Sequence, residues 1–320
     1  MRVSTLTSRL VLSLLALSCR APVRATPPPA DAPAELVALS GASILIGAGD
    51  IATCNSPWDE ATAAIVDSVL KADSTADVKD AVFTLGDNAY PDGSARDFAL
   101  CFTPSWGDSA KRIISRIRPS PGNHEHETEE AAPYYKYFGD RAGSPRKGYY
   151  SYDLGEWHVV VLNSEIVVNR VFSLKERTDQ EEWLRGELKG SSKKCTVAYF
   201  HHPMVSSGWH GGDTRIAGLW RVLYEGGVDL VLVGHDHHYE RFQPLNPQGV
   251  VDTTAGIVQL LAGTGGGALR NLRNTIAPHS AFRLQGYYGV IKLTLGAEEW
   301  RSAFIDTKGT VWDPSGGKCH

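Results

Sequence analysis

The sequence predicts a mixed α/β protein with more than one sheet, and three observations carry that prediction. Short apolar runs alternate with amphipathic stretches, a βα pattern that makes at least part of a sheet parallel. Later segments succeed one another across Gly-containing turns, as antiparallel strands do. The chain is also long enough to bury a large core: its 320 residues are 42% hydrophobic and 21% charged, which excludes disordered and low-complexity scaffolds. Glycine, at 32 residues, exceeds the usual ~7% and points to many tight turns. With 32 Lys+Arg against 36 Asp+Glu, the formal charge of −4 argues against a protein held on nucleic acid by a basic face.

The N-terminus stands apart from that fold. Arg2 and Arg9, the apolar run Leu10–Ser18 and then Val23-Arg24-Ala25 have the order of a signal peptide over residues 1–25. The run falls well short of the ~20 residues that span a bilayer, so no transmembrane segment is expected. A buried N-terminal helix would need a polar face, which the run lacks. The expectation is an exported protein, periplasmic or secreted, with a lipid anchor on Cys19 as the alternative. Removing residues 1–25 takes away four Arg and no acid, leaving 28 Lys+Arg against 36 Asp+Glu, a charge of −8. Residues 26–35, with Pro27, Pro28, Pro29 and Pro33, read as an exposed Pro-rich leader. No later linker or internal repeat breaks residues 36–320, which are expected to form one domain.

Taken in order, Ser43–Ala48, Ala81–Leu85, Thr196–Phe200 and Leu230–Val233 read as buried strands. Asp59–Lys71, Asp179–Lys189 and Leu219–Glu225 carry apolar residues at helical spacing, as in Ala63, Val66 and Leu70. Tyr149–Leu154, His158–Asn163, Tyr287–Leu295 and Trp300–Asp306 read as antiparallel strands. The residues with chemistry to offer come directly after the buried runs. Ser43–Ala48 leads to Gly49-Asp50, and Ala81–Leu85 to Gly86-Asp87-Asn88-Ala89-Tyr90. A short stretch ending at Ser120 leads to Pro121-Gly122-Asn123-His124-Glu125. Thr196–Phe200 leads to His201-His202-Pro203, and Leu230–Val233 to Gly234-His235-Asp236-His237-His238. Sites in α/β sheets gather outside the carboxyl ends of the strands, so five ligand-bearing loops are expected to face one place.

Eight of the eleven histidines fall in residues 124–126, 201–210 and 235–238. Imidazoles with hard oxygen donors and no thiolate suit Fe, Zn or Mn rather than a structural zinc site. Four cysteines lie beyond residue 25: Cys54, Cys101, Cys195 and Cys319. They allow three pairings in an exported protein. Cys54 and Cys101 each come after one of these loops, which favours Cys54–Cys101 with Cys195–Cys319, against free buried thiols. No Ser-His-Asp order is evident. Gly263–Gly267 lacks the Lys-Ser/Thr of a nucleotide loop and reads as tight turns beside the site. Arg241 is expected to hold its loop through an ion pair.

The ordered set Gly49-Asp50, Gly86-Asp87-x-x-Tyr90, Gly122-Asn123-His124-Glu125, His201-x-Pro203 and Gly234-His235-x-His237 resembles the calcineurin-like metallophosphoesterases. Tyr90 makes it similar to their purple acid phosphatase branch. The resemblance spans roughly residues 43–290 and implies a sandwich of two mixed β-sheets flanked by helices over the catalytic domain, 36–320. It implies two metal ions. Asp50, Asp87, Tyr90 and His237 would hold the first, and Asp87, Asn123, His201 and His235 the second, with Asp87 bridging. Ala52 stands where the broader superfamily has a histidine ligand, as the purple branch allows. A tyrosinate ligand favours Fe(III) at the first site, with Fe(II), Zn or Mn at the second. The implied activity is hydrolysis of small-molecule phosphate monoesters by a metal-bound hydroxide, the acid phosphatase reaction. The alternative is a phosphodiesterase for nucleotides or lipid head groups. The resemblance makes His124 the general acid for the leaving group, beside its reading as a residue at the start of an acidic helix. It offers His210 as a substrate contact, beside a plain loop histidine. His202 and His238 flank ligands as supporting residues, and His126 and His158 carry no special signal.

Overall fold

The computed structural model describes residues 41–72 and 80–320, with Met1 and Leu39. The expected signal peptide, the Pro-rich leader and Cys19 lie outside the described residues.

The strands are β1 (Ser43–Ala48), β2 (Ala81–Leu85), β3 (Ile117–Ser120), β4 (Tyr150–Leu154), β5 (Trp157–Val161), β6 (Cys195–Tyr199), β7 (Leu230–Val233), β8 (Tyr239–Phe242), β9 (Val258–Ala262), β10 (Ser280–Leu284), β11 (Gly289–Leu295), β12 (Glu299–Asp306) and β13 (Val311–Lys318). They form two mixed sheets. One runs β13-β12-β11-β1-β2-β3 and the other β10-β8-β9-β7-β6-β5-β4. The β1–β2–β3 and β5–β6–β7–β9 ladders are parallel, and antiparallel strands extend both sheets outward. The segment read from sequence as an antiparallel strand at His158–Asn163 is β5, which pairs antiparallel with β4 but parallel with β6. An apolar strand cannot report from its own composition which partner lies on each side.

Side-chain alternation makes the layers. Leu45 of β1 and Val197 and Tyr199 of β6 point into the space between the sheets, where they meet Phe83, Trp157, Leu232 and Phe304. Ile44, Ile46 and Ala48 point the other way, onto helix Trp58–Ala72 and the aromatic cluster of Phe98, Phe102, Trp106 and Phe138. Ala198, Val231 and Val233 likewise pack on helices Leu174–Gly190 and Ala217–Glu225 through Leu184, Leu219, Trp220 and Leu223. Each such large apolar side chain contributes about 1.5–3 kcal/mol by leaving water.

The longer helices start where local chemistry sets them. Leu174–Gly190 begins five residues earlier than apolar spacing indicates because Ser173 and Glu176 form a reciprocal cap. The Glu176 amide donates to Ser173 Oγ at 3.3 Å, and the Ser173 amide to Glu176 Oε2 at 2.8 Å. The acidic run after Asn123 forms only the short 3-10 turns Glu125–Glu127 and Glu129–Ala131, and the His124 side chain caps neither. Two disulfides are formed, Cys54–Cys101 and Cys195–Cys319. The first ties the loop after β1 to the segment after β2, and the second ties the C-terminus to β6. Arg241 makes the expected ion pair, its guanidinium donating twice to Asp313 at 2.8 Å.

Candidate metal centre

The five ligand-bearing loops do leave the carboxyl ends of parallel strands: three from one sheet (β1, β2, β3) and two from the other (β6, β7). Backbone bonds stitch them together. The Asp50 amide donates to Gly86 O at 3.0 Å, Ile51 to Asp87 O at 2.9 Å, and Gly234 to His201 O at 2.9 Å. Glycine is required where these loops cross. At Gly86, with φ +79°, a Cβ would lie 2.6 Å from His201 Nδ1 and 2.8 Å from Gly122 Cα. Asp50, Asp87 and His235 also have positive φ, at 57°, 50° and 68°. Such backbone costs about 1–3 kcal/mol per residue and clusters at functional sites.

The side chains converge in two groups. In the first, the Tyr90 hydroxyl lies 3.1 Å from both Asp50 Oδ1 and Asp87 Oδ2 and 3.3 Å from His237 Nε2, which is 3.1 Å from Asp50 Oδ1. In the second, His201 Nε2 lies 3.1 Å from Asn123 Oδ1, 3.2 Å from His235 Nδ1 and 3.4 Å from Asp87 Oδ1. Asp87 turns one oxygen to each group. Asp50, Asp87 and His201 are fully or almost fully buried.

The donor set fits a pair of cations. His201 Nδ1 and His237 Nδ1 each sit 2.6 Å from a backbone carbonyl, Leu85 O and Ala268 O. Donating there leaves both Nε2 lone pairs aimed at the carboxylates, the tautomer a metal needs. Two carboxylates, a phenol, an amide oxygen and three imidazoles, without a thiolate, make a hard-to-borderline set. In the protein alone, burial pushes the Asp50 carboxyl up, but His237 and His201 outweigh it and hold it below its usual range. Burial opposes charge on His201, yet Asp87 and Asp50 lift its imidazole to about 10. Burial and the two carboxylates push the Tyr90 phenol well up. His235, by burial and the nearby His201, falls to about 4.

Both expected catalytic residues border the two groups. His124 Nε2 stands 3.7 Å from Asp87 Oδ2, while Nδ1 bonds the Pro91 carbonyl and the ring rests edge-on against Tyr90 at 4.5 Å. The His210 ring lies 4.4 Å from that of His235. His202 is also near, and His201, His202 and His235 form a second cluster of possible ligand atoms. His202 Nδ1, however, is 3.0 Å from Ser164 Oγ and 3.4 Å from Glu165 Oε1, and its ring lies 5.0 Å from that of His201. His158 instead pairs with Asp153 at 3.0 Å on the β4–β5 hairpin.

Glu125 is the important residue that sequence reading did not single out. Its buried carboxylate accepts from the amides of Asn88 at 2.7 Å, Gly122 at 2.8 Å, Asp87 at 3.0 Å and Ala89 at 3.4 Å. Burial and Asp87 push this carboxyl up to about 7 against the pull of those amides. Its signal was the Gly122-Asn123-His124-Glu125 motif itself, hidden by the acids that come after it. The Gly263–Gly267 turns pass as close as expected: a Cβ on Gly263 would be 2.8 Å from Asp50 Oδ2.

Residues 47–239 match the sequence model of the calcineurin-like phosphoesterase family. Among curated proteins, purple acid phosphatase 18 of Arabidopsis thaliana is 30% identical over 190 residues, 53% of this chain and 42% of that protein. Human acid phosphatase type 7 is 29% identical over 203 residues, 55% of this chain and 44% of that protein. The chain therefore spans less than half the length of these curated relatives. Among solved structures, purple acid phosphatase PPD1 from yellow lupin superposes with a TM-score of 0.71 at 20% identity, covering 87% of this chain and 54% of that one. GAP50, the anchor in the inner membrane complex of Plasmodium, gives a TM-score of 0.69 at 15% identity, covering 87% and 89%. These two superpositions speak to the fold. This chain belongs to the calcineurin-like phosphoesterase family.

Proposed function

We propose that the protein is a metal-dependent phosphatase that hydrolyses small-molecule phosphate monoesters at a centre of two cations. The observation that supports it most is the division of the site into two donor groups sharing Asp87. Asp50, Asp87, Tyr90 and His237 would hold one cation, and Asp87, Asn123, His201 and His235 the other. The hard anionic donors of the first group favour Fe(III), with Fe(II), Zn or Mn at the second. Bound there, two cations would neutralise the phosphoryl group and activate a water as nucleophile.

The chain's own residues supply the rest. Leu85 O and Ala268 O fix the tautomers of His201 and His237, and Glu125 fixes the loops that carry Asp87 and Asn123. His124 is the general acid. With Nδ1 held at Pro91 O, Nε2 is left on the side facing Asp87, where it would pass a proton to a departing alkoxide. His210, against the His235 ring, contacts the phosphate. The relatives named acid phosphatases support the monoester, and rates on aryl monophosphate and bis-aryl phosphate test it. The monoester should be hydrolysed at least ~10-fold faster; the reverse order would assign a diesterase. Residues 1–25 are the proposed export signal. No helix among the described residues is long and apolar enough to cross a membrane.

A further inference from the structure

The segment Ser206–Gly212 lies over the second donor group and is held with unusual firmness for a loop. Asp236, fully buried between the proposed ligands His235 and His237, accepts from the His210 amide at 2.8 Å, the Gly211 amide at 3.0 Å and Ser206 Oγ. Glu240 takes the Ser207 amide at 2.8 Å and its hydroxyl at 2.6 Å. From above, the Arg273 guanidinium donates to Trp209 O at 2.9 and 3.1 Å and to His210 O at 2.7 Å. Gly208 is pressed on Asp236 so closely that a Cβ would lie 2.4 Å from its carboxyl carbon.

This fixed loop presents Trp209 with 62% of its surface in water. Leaving an indole that exposed forgoes much of the ~1.5–3 kcal/mol that burying a large apolar side chain gains. Its neighbour His210 packs its ring, tilted by 43°, 4.4 Å from that of His235, which brings the Trp209 backbone to the edge of the second donor group. Arg270 stands at the same rim. It is exposed, its amide donates to His237 O at 3.3 Å, and its guanidinium has no ion pair among the described residues. The rim thus offers an aromatic face and a free cation beside a phosphate site.

We infer that Trp209 is a specificity-determining residue that stacks on an aromatic ring in the leaving group, so that the preferred substrates are phosphate esters of aromatic alcohols. This rests on the phosphatase reading, deepens it, and is tested by binding as well as turnover. Phenylphosphonate and methylphosphonate are titrated into the metal-loaded protein by calorimetry. The wild type should bind the phenyl compound about threefold to tenfold more tightly. Trp209→Ala should abolish that preference while keeping its methylphosphonate affinity, and Trp209→Phe should keep most of it. A Trp209→Ala protein with the full preference, or a wild type with none, would overturn the inference. Turnover of phenyl phosphate and glycerol phosphate separates the two claims. A protein that hydrolyses neither refutes the phosphatase, and the titration still decides on Trp209.

Discussion

His124 touches Asp87 twice, its amide donating to Oδ1 at 2.9 Å and its ring Nε2 standing 3.7 Å from Oδ2, yet removing either side chain should have different consequences. His124 takes no part in either donor group, so His124→Ala is expected to retain metal. Its rate should fall by about 10²–10⁴ on alkyl phosphates and far less on aryl phosphates with good leaving groups. Equal losses on both would refute the acid role. Glu125 acts differently, by holding four amides of the loops around it. Glu125→Ala strands those donors, at about 1–3 kcal/mol each when fully buried, and thermal unfolding should reveal a strongly destabilised protein. His126 gives a pH signature. Burial, opposed only weakly by Asp87, lowers its imidazole to about 4, against an unfolded value near 6.5. The unfolded chain binds the extra proton, so this stability is complete above about pH 6.5 and is lost as pH falls toward 4. The difference amounts to about 3 kcal/mol. Denaturation of wild type and His126→Phe should therefore differ in slope between pH 4 and 6.5, and parallel curves would contradict this.

At the scale of elements, the Cys54–Cys101 bond joins two loops that carry proposed ligands, Asp50 before Cys54 and Tyr90 before Cys101. Its closed segment, a separation of 47 residues, corresponds to about 4 kcal/mol on the loop-entropy scale. A Cys54→Ser/Cys101→Ser protein should unfold at a distinctly lower temperature and bind metal more weakly. Unchanged metal affinity would show the loops are held well enough without it. β1, β2 and β7 have the bounds that apolar runs indicate, because strands buried on both faces are continuously hydrophobic. β8, β10 and β13 escaped, since Tyr-Glu-Arg-Phe, Ser-Ala-Phe-Arg-Leu and a strand containing Pro314, Gly316 and Gly317 lack that signature. β10 and β13 are edge strands, where one-sided burial and proline are tolerated. The proposed ligand set was legible because each member comes within a few residues of a predicted strand. Asp236 and Glu240 were not, because their work is to anchor a loop about thirty residues earlier in the chain, a tertiary relation with no local pattern.

For the whole molecule, the sandwich brings two sheets together so that loops from both complete one centre. Neither sheet alone assembles it. Asp50 and Asp87 are buried together there, so a bound cation couples to folding as well as to chemistry. Chelation should lower the unfolding temperature by several degrees, and metal should restore it. An unchanged transition would mean that the carboxylates and imidazoles are balanced without metal. The acidic balance of the chain, −4 overall, leaves substrate attraction to the centre and its rim, where Arg270 stands, rather than to a broad basic surface.

In the proposed centre Asp87 would bridge two cations on which hydrolysis depends. Elemental analysis of purified wild type and Asp87→Asn, with monoester turnover on the same samples, tests it most directly. Two metal ions per wild-type chain, and loss of both metal and turnover in Asp87→Asn, are predicted; full metal content with full turnover in the variant would contradict it.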